Sequence, residues 1–318
     1  MDVPWIKRVM VVGAGTMGHS LAMVFAQAGD YEVDLVDIRQ EILKKALETT
    51  RSNLQTLKET GLIPGKSIPG ILGRIHPSTS LGAAKRADLV IEAISENPKG
   101  KKKLFMSLEK LCPSRTIFAS NTSYLNVFQL ASTVRPPKML ITHWWAPPHL
   151  IPLVDVVKGP KTSAETVETV RNVLLKLGKV PVVMEKFIPG FIVNRLQRAM
   201  AREIFFLLDH GYATPEQIDT AVKNSLGIRI PVAGVVQRYD FAGLDLALAF
   251  EENPSIHLVS RRRPFETLLR LVRKGDLGVK SGKGFYDYSS RKTSEVLRER
   301  DLKLIETIKF FKKRRILD

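Results

Sequence analysis

The sequence predicts an α/β protein: an N-terminal doubly wound parallel sheet over residues 1–188, then an all-α domain over residues 189–318. Three observations predict it. Short, continuous apolar runs alternate with amphipathic stretches through the first half, the pattern of strands covered on both faces by helices. A glycine-rich loop, Gly13-Ala-Gly15-Thr-Met-Gly18, joins the first apolar run directly to the first helical stretch. Past Lys186-Phe-Ile-Pro189-Gly190 the composition shifts and the pattern becomes helical.

The elements follow in order. Val9–Val12 reads as the first strand, and a helix runs on from Leu21. Val33–Val36 is the second strand and ends in Asp37. Gln40–Glu59 is a long amphipathic helix. Gly61–Gly70 is rich in turn residues and is predicted to loop out. Leu89–Ala93, Thr116–Ala119 and Met139–Thr142 are further buried strands, with a helix at Lys101–Leu111. Val154–Val157 and Val180–Val183 are two more candidates. In the second half, Ile192–His210 is a long apolar helix ended by Gly211. Thr214 caps a helix that has Pro215 at its first position. Leu244–Phe250, Pro264–Lys274 and the basic Glu295–Arg315 are also helical, and Lys280–Tyr286 is a glycine-rich turn. Neither an internal repeat nor a low-complexity tract is visible.

Composition narrows the class. With 318 residues, 44% apolar and 25% charged, the chain can bury two cores. No apolar run approaches the ~20 residues that cross a bilayer. Met1-Asp-Val-Pro-Trp5 has none of the marks of a secretory signal. Cys112 is the single cysteine, so it makes no internal disulfide and no metal cluster; a buried apolar role suits it. These features predict a cytoplasmic protein with no membrane partner and no metal. The net charge of +17 is high. Residues 251–318 carry a net +8, including Arg261–Arg263 and Lys312–Arg315, and Lys99–Lys103 is a further cluster. The plain reading is a solvated basic surface. An anionic small substrate is the functional one, and no motif supports nucleic acid.

The glycine loop carries the first chemistry. Gly13 permits a tight turn, Gly15 lets backbone approach a pyrophosphate, and Gly18 lets the helix pack against the strand. The helix start, with Thr16 and Met17 before it, offers N–H groups to phosphate. Asp37, 19 residues after Gly18, can accept hydrogen bonds from a ribose and would repel a 2′-phosphate. NAD is therefore favoured over NADP, although Arg39 could soften the preference.

A nicotinamide cofactor needs a partner to handle the alcohol proton, and histidine suits it. Of six histidines, His143 directly follows a strand, at the edge where α/β sheets bind ligands. Asp155, twelve residues on, sits in the apolar run Leu153–Val157 and requires a partner. An adjacent imidazole would be a good one, although a structural histidine and a solvent-facing aspartate are equally simple readings. Ser120-Asn-Thr-Ser123 closes the preceding strand; its hydroxyls could bond substrate or nicotinamide, or cap a helix. Asn194 is a polar residue early in an apolar helix.

These stretches resemble the L-3-hydroxyacyl-CoA dehydrogenase superfamily. The matching residues are Gly13–Gly18, Val90–Asn97, Ala119–Ser123, His143–Val157, Pro189–Leu196 and Ser281–Tyr286, in family order along nearly the whole chain. The resemblance implies an NAD-binding Rossmann domain and a helical second domain like that of 6-phosphogluconate dehydrogenase, usually dimeric. It implies that His143 takes the 3-hydroxyl proton, with the family's carboxylate falling on Asp155. Ser123 and Asn194 match its substrate-orienting positions. Glu96, Lys101, Ser123 and Lys280 match positions at the cofactor. Three departures stand out. The family's carboxylate is usually Glu, its Asn three residues after the histidine is Ala146 here, and its CoA-binding segment is hard to find in Glu59–Ser80. Pro147–Val154 is similar to the branch acting on free hydroxy acids, that of L-gulonate 3-dehydrogenase (lambda-crystallin) and carnitine dehydrogenase. An acyl-CoA substrate is thus the first expectation and a free 3-hydroxy acid the second. A non-enzymatic, crystallin-like binding protein is the alternative of another class.

Overall fold

The structure, a computed structural model, describes residues 5–260 and 264–316. Arg261–Arg263 of the basic C-terminal region therefore lie outside the described residues. Contacts divide the chain into two compact units, Met1–Asn194 and Arg195–Asp318. This division falls six residues beyond the 188/189 boundary suggested by composition, because Phe191 is buried in the first unit's core.

The first unit is built on one sheet of eight strands: β1 (Arg8–Val12), β2 (Glu32–Val36), β3 (Ile75–Ser78), β4 (Leu89–Glu92), β5 (Ile117–Ser120), β6 (Met139–Trp144), β7 (Leu153–Lys158) and β8 (Val180–Met184). Their order is β3-β2-β1-β4-β5-β6-β7-β8. The direction of winding reverses between β1 and β4, which opens a crevice at the strands' carboxyl ends. The helices are α1 (Gly18–Ala28), α2 (Gln40–Glu59), α3 (Ile68–Gly73), α4 (Pro98–Leu111), α5 (Val127–Leu130) and α6 (Ala164–Lys176). One side of the sheet packs Met10, Val90, Phe118 and Ile141 against Phe105, Leu108 and Cys112. Burial pushes the Cys112 thiol up to about 11, so it behaves as the small apolar residue expected.

The structure corrects three expectations and adds one strand that was not foreseen. The sheet is not wholly parallel, because β7 runs antiparallel to β6. The 145–152 connection is shorter than the roughly dozen residues a parallel crossover needs, so the chain turns back. The Gly61–Gly70 stretch is not all loop: α3 starts within it, with Pro69 in its first turn. β3 carries no apolar run and includes Pro77, which is tolerated because the strand lies at the sheet edge. Finally, His143 lies inside β6 rather than after it.

From α7 (Val193–Asp209) onward the chain is helical, through α8 (Pro215–Lys223), α9 (Leu226–Ala233), α10 (Gln237–Ala242), α11 (Leu244–Glu251), α12 (Glu266–Lys274) and α13 (Thr293–Lys313). Thr214 caps α8 as expected: its hydroxyl accepts from Gln217 N–H at 3.3 Å, and the Gln217 side chain accepts from Thr214 N–H at 2.9 Å. α9 to α11 bury no residue within this unit. Among the described residues, no helix is long and apolar enough to cross a membrane.

Candidate active site

The glycine loop has the shape a dinucleotide needs. Gly13 adopts φ +100° and donates its N–H to Val36 O at 2.7 Å. A Cβ on Gly13 would stand 2.5 Å from Ala93 O, and one on Gly18 would stand 1.7 Å from Gly13 O. Both glycines are required by backbone packing. Gly15 differs: it is exposed, with nothing within 4 Å of its missing side chain. This open face lies beside Thr16, Met17 and the first turn of α1, which has no side-chain cap. The amides there fit a pyrophosphate. Asp37 stands just past β2 and accepts from Ala14 N–H at 2.9 Å and Arg39 N–H at 3.2 Å. A carboxylate has about four acceptor positions, so it can steady the loop and still receive ribose hydroxyls.

Behind the crevice lies a buried charged cluster. Glu92, at the end of β4, is fully buried, and so is Lys101 on α4. Lys101 Nζ donates to Glu92 Oε1 at 2.6 Å and to Glu96 Oε2 at 3.1 Å. Glu92 also accepts from the Ser120 hydroxyl at 2.5 Å and from Ile94 N–H at 2.9 Å. The other oxygen of Glu96 accepts from Ser123 N–H at 2.9 Å and from the Thr122 hydroxyl. Partial burial of Glu96 works against its charge, but the Thr122 hydroxyl and the Lys101 charge outweigh it and hold its carboxyl below the usual range. The cluster therefore fixes the turn that carries Ser123.

The proton-transfer candidates meet in the sheet itself. His143 and Asp155 are direct partners in the antiparallel β6–β7 register. Directly opposite side chains are close enough that a carboxylate as short as aspartate reaches the imidazole. Nδ1 of His143 lies 3.0 Å from Asp155 Oδ2, and both residues are buried. A carboxylate accepts, so a neutral imidazole in this contact places its hydrogen on Nδ1 and leaves the Nε2 lone pair open. Nε2 faces the Ser123 hydroxyl at 3.4 Å. The ring is flanked by Trp145, edge-on at 4.9 Å between centroids, and by Phe191 at 5.2 Å. Asn121 Oδ1 accepts from Trp144 N–H at 2.8 Å and ties the end of β6 to the Ser123 turn.

Gly13, Gly15, Thr16, Met17, Gly18, Asp37, Glu96, Lys101, Ser123, His143 and Asp155 all belong to the first unit, around the carboxyl ends of β1, β2, β4, β5 and β6. Asn194 is half-buried in the first turn of α7. Lys280 is exposed in a short 3-10 turn of the helical unit. Sequence reasoning missed the roles of Glu92, Trp145 and Phe191. A carboxylate closing the apolar run Leu89–Ile91 was a readable sign for Glu92. The burial of Phe191 at φ +52° was not readable. No group of side chains suited to a metal occurs among the described residues.

A doubly wound sheet, a dinucleotide loop and a buried His–carboxylate pair define a nicotinamide-dependent dehydrogenase. Residues 8–187 match the 3-hydroxyacyl-CoA dehydrogenase NAD binding domain, and residues 190–288 match the C-terminal domain of that family. The chain belongs to the 3-hydroxyacyl-CoA dehydrogenase family, and its cofactor is NAD. It is 38% identical over 288 residues to a probable 3-hydroxybutyryl-CoA dehydrogenase of Bacillus subtilis, spanning 90% of this chain and 99% of that one. It is 32% identical to the 5-formyl-3-hydroxy-2-methylpyridine 4-carboxylate 5-dehydrogenase of Mesorhizobium japonicum, over 94% of this chain and 96% of the relative. A crystal structure of an enzyme of that pyridine activity, described as an NAD+-dependent dismutase, superposes with a TM-score of 0.87 at 31% identity, over 96% of this chain and 99% of that one. Membership of this enzyme family sets aside the non-enzymatic, crystallin-like alternative.

Proposed function

We propose that this chain interconverts a 3-hydroxyacyl-CoA and its 3-keto form, with His143 and Asp155 handling the proton. The observation that carries it is the 3.0 Å His143–Asp155 contact, with Nε2 turned toward Ser123. NAD, when bound, supplies the hydride acceptor for C3. Nε2 of His143 takes the hydroxyl proton as the C3–O bond becomes a carbonyl. Asp155 holds the ring's tautomer and stabilises the imidazolium that forms. Ser123 and Asn194 orient the oxygen. Gly15, Thr16, Met17 and Gly18 hold the pyrophosphate and Asp37 the ribose. Glu96, steadied by buried Lys101, serves the cofactor end, and Lys280 is assigned to the cofactor from the family resemblance alone. In the reverse direction the same imidazolium returns the proton.

A free 3-hydroxy or aromatic acid is the second reading. The likeness to an enzyme named for a pyridine carboxylate favours it. Initial rates with NADH and acetoacetyl-CoA, compared with NAD and L-gulonate or carnitine, separate the two. Absence of any CoA-thioester reduction ends the first reading.

We further propose that the protein works as a cytoplasmic homodimer. Phe241, Leu244, Leu246, Leu248 and Phe250 are 58–76% exposed in the helical unit, apolar side chains that a partner copy would cover. A monomeric mass by sedimentation at micromolar concentration overturns this.

A further inference from the structure

One oxygen of Asp155 serves two donors. Oδ2 receives Nδ1–H of His143 at 3.0 Å and the indole Nε1–H of Trp145 at 3.1 Å. Trp145 is half-buried just beyond β6, and its ring also stands edge-on to the imidazole. The same side chain thus braces both members of the pair. The loop that carries it is anchored from below: buried Lys179 donates to Pro148 O at 2.6 Å and to Ile151 O at 3.0 Å.

We propose that Trp145 is a positioning residue of the proton-transfer pair, whose indole N–H shares the Asp155 carboxylate with His143 and thereby sets the pH at which His143 works. The proposal rests on the reading of His143 as base. An ionised carboxylate binds each of two donors less strongly than it binds one, because the first neutralises part of the charge the second would feel. A phenylalanine at position 145 would brace the ring but leave Oδ2 to His143 alone. The pair would then tighten around the protonated imidazole, and a higher pH would be needed to free Nε2 as a base. The other charged groups around this turn and loop have partners of their own. Glu96 and Lys101 act on the Ser123 turn, and Lys179 is engaged with loop carbonyls.

The test replaces Trp145 with Phe and, separately, with the benzothienyl isostere of tryptophan, which keeps the shape and lacks the N–H. The readout is the pH profile of kcat/KM for alcohol oxidation. We expect the midpoint of its low-pH arm to move up by about half a pH unit or more in both variants, with KM for NAD unchanged. Only three tryptophans are present, so the Trp145 indole resonance is identifiable by its loss in the Phe variant. In the unsubstituted protein it should titrate with the midpoint of the rate profile. An isostere whose midpoint is unmoved or lowered overturns the proposal, leaving Trp145 a packing residue. Retained turnover in His143→Asn sinks the base assignment instead, so the two failures are distinguishable.

Discussion

Lys101→Met should be the most destabilising single change in the cofactor crevice. Lys101 and Glu92 are 1% and 0% exposed, with Nζ and Oε1 2.6 Å apart. Removing one partner of such a pair leaves an uncompensated charge in the interior, which costs about 3–5 kcal/mol. Loss of the Glu96 contact adds little, because that carboxylate is 25% exposed and water screens it. With a urea dependence of ~2–3 kcal/mol per molar, the unfolding midpoint should fall by about 1–2 M. All three tryptophans, Trp5, Trp144 and Trp145, lie in the first unit, so their fluorescence reports on this unit alone. The cause is isolated by a second step, Glu92→Gln on the Lys101→Met background. Glutamine carries no charge, keeps one carbonyl oxygen to accept from Ile94 N–H, and turns its NH2 toward the Ser120 hydroxyl, whose oxygen can accept in place of donating. It should recover about 2 kcal/mol or more. A double variant no more stable than Lys101→Met would refute the reasoning, because the loss would then not stem from a stranded carboxylate.

Gly18→Ala should abolish NAD binding and lower stability, because its methyl would meet Gly13 O at 1.7 Å; near-normal affinity by titration calorimetry contradicts that. Asp37→Ser should relax the preference for NAD over NADP, measured as the ratio of kcat/KM values, and should loosen the loop by losing the Ala14 N–H bond. Glu96 has its carboxyl held below the usual 4.5 in the folded state. Its contribution to stability is complete above that value and is lost as pH falls below it through the depressed pKa. Glu96→Gln should therefore flatten the acid limb of a stability–pH curve, and an identical limb argues against the assignment.

Much of the site was legible because its signals are local. The loop, the helix after it and Asp37 occupy one continuous stretch, and each constrains the next. His143 was found from a strand edge, and Asp155 from the oddity of a carboxylate in an apolar run. Glu92 carried a similar oddity but had no visible partner, since Lys101 is nine residues away on a helix and reads as one of a run of surface lysines. Trp145 read as part of an aromatic loop. Its bond to Asp155 depends on how β6 turns back into β7, which the parallel-sheet expectation did not contain.

By itself, then, the sequence determined the fold class, the family and the cofactor. Those follow from residue types at short, ordered spacings that only a few backbone geometries satisfy. The tertiary structure decided which charged groups share an interior. It put His143 opposite Asp155 rather than leaving either in solvent, buried Lys101 between two carboxylates, and brought Trp145 to the shared oxygen. Strand pairing explains this: a shift of one residue in the β6–β7 register would put the two side chains on opposite faces of the sheet. Register is set by the packing of the whole sheet.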